Sequence, residues 1–498
     1  MTRYLLERAL IDGTVHPAVE VNENDGVIVS VTLRNAFDGP DRDASPSFSF
    51  DGAGAFDGPG ATGETVFLPG LTVPGFANAH SHAFHRALRG TTHGDGGSFW
   101  TWRDRMYEVA DRLTPENYRA LATAVFAEMV LAGYTVVGEF HYVHHAAGGV
   151  RHPDTHAMSE AIIGAAADAG IRLTLLDTIY LRGGLIGGAP ERADTHLALD
   201  EHQARFGDGT AADWAVRHGE LSERHGAGAA TSDTVRIGAA VHSVRAVPRE
   251  ALAAVRAATI GQPVHAHVSE QLAENTQAQA AWGLTPLAVL ADAALLDESF
   301  TAVHATHLST TDVELLARTG ATVCVCPTTE RDLGDGIGPV GALTAAGVHL
   351  CIGSDQHAVI DPFDELRALE GHERLATLSR GRVSPDALMT AGATAGYRSL
   401  GWTGGAIAVG SVCDLVAIND RSVRTAGSRG DQIAFAASGS DVTDTVVGGI
   451  HIVAGGQHRL GDVAALMRDA LAALDLPAAR PTTATNKNPN NKNDGDTA

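Results

Sequence analysis

Eight short apolar runs alternate with helix-patterned segments over most of this 498-residue chain, and no other feature constrains its fold as tightly. The runs are TVPGFANAH (72–80), YTVVGEFH (134–141), IRLTLLDT (171–178), VRIGAAVH (235–242), PVHAHVSE (263–270), FTAVHATH (300–307), ATVCVCP (321–327) and GVHLCIGSD (347–355). Each has strand length. Between them lie segments such as PENYRALATAVFAEMVLAG (115–133) and PREALAAVRAAT (248–259), with Pro near the start and Gly at or just after the end, as helices prefer. Eight strand-then-helix units predict a (β/α)8 barrel of the TIM type. Strand character returns on both flanks, in VFLPGL upstream and in GAIAVGSVCDLVAIND and DTVVGGIHIVAGG downstream, and predicts a small β-sandwich-like domain built from both chain ends. The expected division is 1–70 and 401–465 for that domain, 71–400 for the barrel and 466–478 for a C-terminal helix. A Gly/Asp/Ser/Pro-rich insertion at 36–64 and a polar tail at 479–498 lack the periodicity of ordered elements.

Charge and composition remove several functions. With 36 Lys+Arg against 59 Asp+Glu, the formal charge of −23 repels phosphate backbones and anionic membranes, so neither nucleic acid nor a membrane is expected as a partner. Charges interrupt the first apolar stretch, MTRYLLERALIDGTV, which is unlike a signal peptide and points to a cytoplasmic protein. Cys324, Cys326, Cys351 and Cys413 are too few for a disulfide framework and read as reduced core thiols. The only lysines, Lys487 and Lys492, lie in the tail, so the folded body can use neither a Schiff base nor a carboxylated lysine bridging two metals.

The chemistry gathers at the ends of the runs. In a strand, residues two apart face the same way, so His80 and His82 converge as half of a metal clamp. Catalytic groups of such barrels sit at the C-terminal strand ends. Here those ends carry His80 and His82, then His141 and Tyr142, His242, His267 and Glu270, His304 and His307, and Asp355. Imidazoles with one carboxylate suit zinc or ferrous iron, completed by a water. Glu270, three residues past His267, is in range to move a proton. Spacing alone does not choose between His265 and His267, and Asp355 could instead cap a helix. His144 and His145 read as a solvated loop. In the loop after the first run, SFWTWRDRMY (98–107) crowds aromatic rings around Arg103 and Arg105, and Arg245 follows the fourth run. Arginines at a barrel rim are natural carboxylate clamps.

PGFANAHSHAFHRALRG, SFWTWRDRMY, GYTVVGEFHYVHH, HSVRAV, HVSEQ, CPTTERDLGDGI and GSDQH together resemble the amidohydrolase superfamily and, within it, the formimidoylglutamate deiminases of histidine degradation. The resemblance spans about 75–400. It implies one divalent metal per chain, zinc or else ferrous iron, held by His80, His82, His267 and Asp355. It further implies proton transfer by Glu270, His304 and Asp355, which favours His304 over His307. Substrate recognition would fall to His85, Arg103, Tyr142, His242 and Arg245. The implied reaction is hydrolytic deimination of N-formimidoyl-L-glutamate, a small anion, by a homodimer. His85 stands where that family usually has Gln, and an imidazole cannot both donate and accept from one terminal group. Other readings are an aminohydrolase for a purine or adenosyl substrate, an imidazolone-ring hydrolase, or a barrel without activity.

Overall fold

The computed structural model describes residues 1–37, 64–93, 99–186, 195–226, 229 and 233–476. The 36–64 insertion, apart from its ends, and the 479–498 tail lie outside these. Strands β1 (Thr2–Ile11), β2 (Thr14–Asn24) and β3 (Val27–Leu33) form an antiparallel meander, and β4 (Thr65–Pro74) runs parallel to β1. At the near end of the insertion, Phe37 packs edge-on against Phe67 of β4, ring centres 6.3 Å apart.

The run 72–80 serves two sheets. Val73 and Pro74 finish β4, and after Gly75 the chain enters the barrel as β5 (Phe76–Ser81). A Cβ at Gly75 would lie 2.1 Å from Thr135 Oγ1, so only glycine lets the chain turn this closely against the next strand. The barrel continues with β6 (Tyr134–His141) and β7 (Arg172–Ile179). A small hairpin of β8 (Gly184–Leu185) and β9 (His196–Leu197) interrupts it. Then follow β10 (Val235–Val241), β11 (Val264–Val268), β12 (Phe300–His304), β13 (Thr322–Val325) and β14 (His349–Ile352). All eight barrel strands pair in parallel in the order β14-β13-β12-β11-β10-β7-β6-β5.

The seam between β14 and β5 is closed just beyond the strands. Asp355 N–H donates to the His80 carbonyl at 3.0 Å, and His82 N–H donates to the Asp355 carbonyl at 3.1 Å. Gly353 permits this approach, since a Cβ there would come within 2.7 Å of His80 Cβ.

From the C-terminal side, β15 (Leu415–Ile418), β16 (Val442–Val447), β17 (Ile450–Ala454) and β18 (Gln457–His458) join β4. The small domain is therefore one eight-stranded sheet from both chain ends, ordered β18-β17-β16-β15-β4-β1-β2-β3. Helix Pro115–Leu131 starts at Thr114, whose side chain and that of Asn117 cap each other's backbone. It packs on the helices Ala157–Ala169 and Val463–Ala473.

The segment read as a loop around Arg103 is a helix, Phe99–Asp111. Its buried Trp102, Met106, Val109 and Ala110 recur at helical spacing, and that stripe, packed on the core, fixes the conformation. The four cysteines are free and buried.

Candidate metal centre and active site

His80 Nε2 lies 3.2 Å from His267 Nε2 and 3.4 Å from Asp355 Oδ1, and His82 Nε2 lies 3.5 Å from that same oxygen. His304, at the end of β12, brings Nε2 to 3.9 Å from both Asp355 Oδ2 and Glu270 Oε1. Donor atoms of His80, His82 and Asp355 fall within 4.8 Å of one another, as do those of His80, His267 and His304. Four strand ends thus deliver nitrogen and oxygen donors to one point.

Hydrogen bonds orient the rings. His82 Nδ1 lies 2.9 Å from the Phe140 carbonyl and His267 Nδ1 lies 2.8 Å from that of His242. A carbonyl only accepts, so both rings carry their proton on Nδ1 and turn a bare Nε2 to the centre. Burial keeps the imidazoles neutral: it lowers His80, pushes His82 down to about 3 with the help of His80, and holds His267 well below the ordinary range. Neutral imidazole is the form that ligates metal. Burial works against ionisation of Asp355, yet His80, His304 and His82 hold its carboxyl well below the usual range.

The centre is short of positive charge. Burial disfavours an imidazolium at His304, but the carboxylates of Glu270, Glu330 and Asp355 overcome it and raise the group to about 10. A buried site that pulls a proton onto an enclosed imidazole has a deficit that a divalent cation would fill. The donor set and its charge both fit such an ion.

The backbone is unusual at the same rim. Ser269, His304, Ala305, Asp355 and His357 all have φ between 45° and 65° without being glycine. Left-handed backbone at non-glycine residues is strained and persists where the surroundings over-determine it. Here it marks the turns that aim Glu270, His304 and Asp355.

A cavity of about 480 Å³ opens onto His82, His267, His304, Asp355 and Glu270. It is of small-molecule size. His85 is buried in its wall but joins the other side of the site: its Nε2 is 3.0 Å from Tyr142 Oη, and it falls in neither donor group. His242 packs edge-on against Tyr180, ring centres 4.6 Å apart. Arg103 and Arg245 also line the cavity, Arg245 with Nη2 3.5 Å from Glu270 Oε2.

Other histidines separate. His265 faces the barrel floor, its Nε2 3.0 Å from the Ser399 carbonyl, so of the two candidates on β11 it is His267 that reaches the donors. His304 does so on β12 and His307 does not. His141 turns away from the cavity to a second buried cluster, and His144 belongs to that cluster too. His144 and His145 are buried, unlike the solvated loop expected of them, because Arg217 and backbone carbonyls supply their partners.

Sequence reasoning singled out neither Glu330, 3.6 Å from His304 Nδ1, nor Asp335, whose carboxyl is raised by burial and next by Glu270. Both lie inside CPTTERDLGDGI, so the motif held the signal. It also missed Arg182 in the cavity wall.

A parallel barrel with histidine and aspartate donors at its C-terminal rim defines a metal-dependent hydrolase architecture, and residues 71–451 match the amidohydrolase family; the chain belongs to that family. It is similar to formimidoylglutamate deiminase from Pseudomonas aeruginosa, 37% identical over 406 residues that cover 78% of this chain and 86% of that one. It is also similar to 5-methylthioadenosine/S-adenosylhomocysteine deaminase from Natronomonas pharaonis, at 30% identity over 80% of this chain and 85% of that protein. Among solved structures, an amidohydrolase from Brucella melitensis superposes with a TM-score of 0.80 at 30% identity, covering 95% of this chain and 100% of that chain. No helix among the described residues is long and apolar enough to cross a membrane.

Proposed function

We propose that this chain hydrolyses N-formimidoyl-L-glutamate to N-formyl-L-glutamate and ammonia, using one divalent metal held by His80, His82, His267 and Asp355. Zinc suits this donor set best, and ferrous iron also suits it. One observation carries the choice of substrate: the cavity that opens onto the donors is walled by arginines. A substrate with two carboxylates needs such a wall, because guanidinium meets carboxylate in a bidentate fork. Similarity to the Pseudomonas aeruginosa deiminase supports the same reading.

A bound divalent cation lowers the pKa of a water to about 7 and so makes hydroxide available at neutral pH. Asp355 and His304 flank the donor atoms and accept the proton as the water oxygen adds to the formimidoyl carbon. His304, with Nε2 3.9 Å from Asp355 Oδ2 and from Glu270 Oε1, would act as the base beside the donors and pass its proton on to Glu270. Glu270 carries a proton to the departing nitrogen, since ammonia leaves readily and amide ion does not. The carbon–oxygen double bond forms as the carbon–nitrogen bond breaks, and the remaining hydroxyl proton passes through the same groups, so that both protons of the water end on the ammonia. Arg103, Arg245, Tyr142, His85 and His242 hold the glutamyl part so that the reacting carbon faces the donors.

The test is ammonia release by metal-assayed protein offered formimidoylglutamate, formimidoylaspartate, adenosine, 5′-methylthioadenosine and guanine. Formimidoylglutamate is expected to be the best substrate, and Glu270→Gln is expected to keep its metal while losing about 10²–10⁴-fold in rate. Silence toward formimidoylglutamate with turnover of an adenosyl compound would overturn the proposal. It would favour the second reading, an adenosyl deaminase, which the similarity to the Natronomonas pharaonis protein motivates.

A further inference from the structure

Among the described residues, the arginines that line the cavity are Arg103, Arg182 and Arg245. Their charges are not equally available to a ligand. Arg245 stands between two carboxylates, with Nη2 3.5 Å from Glu270 Oε2 and Nε 3.7 Å from Glu274 Oε1. Burial alone would lower its pKa, and Glu274 and Glu270 raise it instead, so much of its charge is already answered. Arg103 lies against Tyr107, its guanidinium carbon 5.7 Å from the ring centre.

Arg182 differs from both. The hydrogen bond its side chain makes is Nη1 to the Leu181 carbonyl at 2.9 Å, and among the described residues no carboxylate lies within ion-pair distance. It is half-buried in the wall. The loop that carries it is fastened down: Leu181 N–H and Arg182 N–H both donate to the Ala246 carbonyl, at 3.0 and 2.9 Å. His196, in the hairpin that follows, sets its Nε2 3.1 Å from the Val244 carbonyl. The backbone of Arg182 is therefore tied to the residue after Arg245. A guanidinium anchored beside a cavity, with donors unspent and no carboxylate of its own, is preorganised for an anion.

We infer that Arg182 binds one of the two substrate carboxylates and makes the site selective for dianionic over monoanionic ligands. The inference rests on the deiminase reading for the identity of its dicarboxylate. Arg245 also meets the glutamyl part, but Glu270 and Glu274 already answer much of its charge, and Arg182 supplies the charge that Arg245 has committed to them.

The experiment compares wild type with Arg182→Met and Arg182→Lys on formimidoylglutamate and on two monoanionic analogues, one lacking the α-carboxylate and one lacking the side-chain carboxylate. Arg182→Met is expected to raise KM for formimidoylglutamate by about 10–100-fold while kcat stays within about threefold, as loss of a charge-assisted hydrogen bond made equally in both states requires. Arg182→Lys should recover part of that loss. On the analogue lacking the carboxylate that Arg182 holds, Arg182→Met should change kcat/KM by less than about twofold. Equal losses on all three compounds, or none on any, would overturn the inference. Should wild type fail to turn over formimidoylglutamate, the deiminase reading falls, and calorimetry with glutarate and butyrate then decides on Arg182. Tighter binding of glutarate by wild type, abolished in Arg182→Met, supports the anion site, and equal binding of the two acids rejects it.

Discussion

Two buried clusters of histidine and aspartate share the barrel, and among the described residues the donor spacing that a metal ion needs is found in one of them. At the rim, His80, His82, His267, His304 and Asp355 meet, and among the described residues no arginine forms an ion pair with Asp355. Behind β6 and β7, His141, His144, His218, Asp177 and Asp208 surround Arg217. That guanidinium donates to Asp177, and to Asp208 from Nη2 at 2.8 Å and Nε at 3.1 Å, with His144 Nε2 3.1 Å from Nη2. The second cluster contains its own permanent cation, which pairs with both carboxylates. The first pulls a proton onto His304 for want of one. Residue types alone do not make a metal centre; an uncompensated negative charge with bare nitrogens facing it does.

The largest expected effect strikes the first cluster. Asp355→Ala should remove the metal and cost about 10⁴-fold or more in ammonia release, read by elemental analysis beside the rate. A variant that kept both would break the contrast at its root. Arg217→Met should instead leave the metal content untouched and destabilise the fold by about 3–5 kcal/mol in denaturant melts, because it strands two buried carboxylates. Equal damage to metal binding would show the clusters to be one unit.

A smaller effect follows from pH. Burial raises the Asp208 carboxyl to about 6, above an unfolded value near 3.9, so the folded state holds this proton more tightly. Its stabilisation is complete below about pH 4 and is lost as pH rises through about 6, by on the order of 2–3 kcal/mol. The stability of wild type relative to Asp208→Asn should therefore fall between pH 4 and 7; a difference independent of pH would show that Arg217 offsets the burial of Asp208 completely. The smallest effect belongs to His141, whose two ring nitrogens find no hydrogen-bond partner among the described residues and whose ring stacks on Tyr118 at 6.1 Å. His141→Phe keeps the stacking and removes the unsatisfied atoms, so unfolding midpoints should move by less than about 1 kcal/mol.

Much of the barrel was legible because a buried strand followed by an amphipathic helix leaves a local pattern, and each of the eight runs overlaps a barrel strand, two of which extend one residue further. What pattern could not show was where one extended run changes sheets, at Gly75, since that depends on Thr135 lying against it. Nor could it show the helix Phe99–Asp111, whose stripe was masked by arginines and tryptophans read as loop chemistry. The two-residue strand period put His80 and His82 on one face, but it put His265 and His267 on one face as well, and only depth along the barrel separates them. His141 ends β6 and turns away from the cavity, while Tyr142, just past the strand, lines it, a division that neighbours in sequence do not announce. Arg217 and Arg182 drew no notice because the meaning of each lies in which carboxylates stand near it.

The seam of the barrel is joined by the backbone of His80 and Asp355, the same residues whose side chains face the donor centre. Asp355 follows His80 by 275 positions, so on a translating ribosome the early half of the centre waits on the order of 15–50 s for the late half. Until then a nascent chain gains His267 and His304 but lacks the carboxylate and the backbone pairing that close the ring. The full donor set thus comes together only once the last barrel strand, β14, has been made.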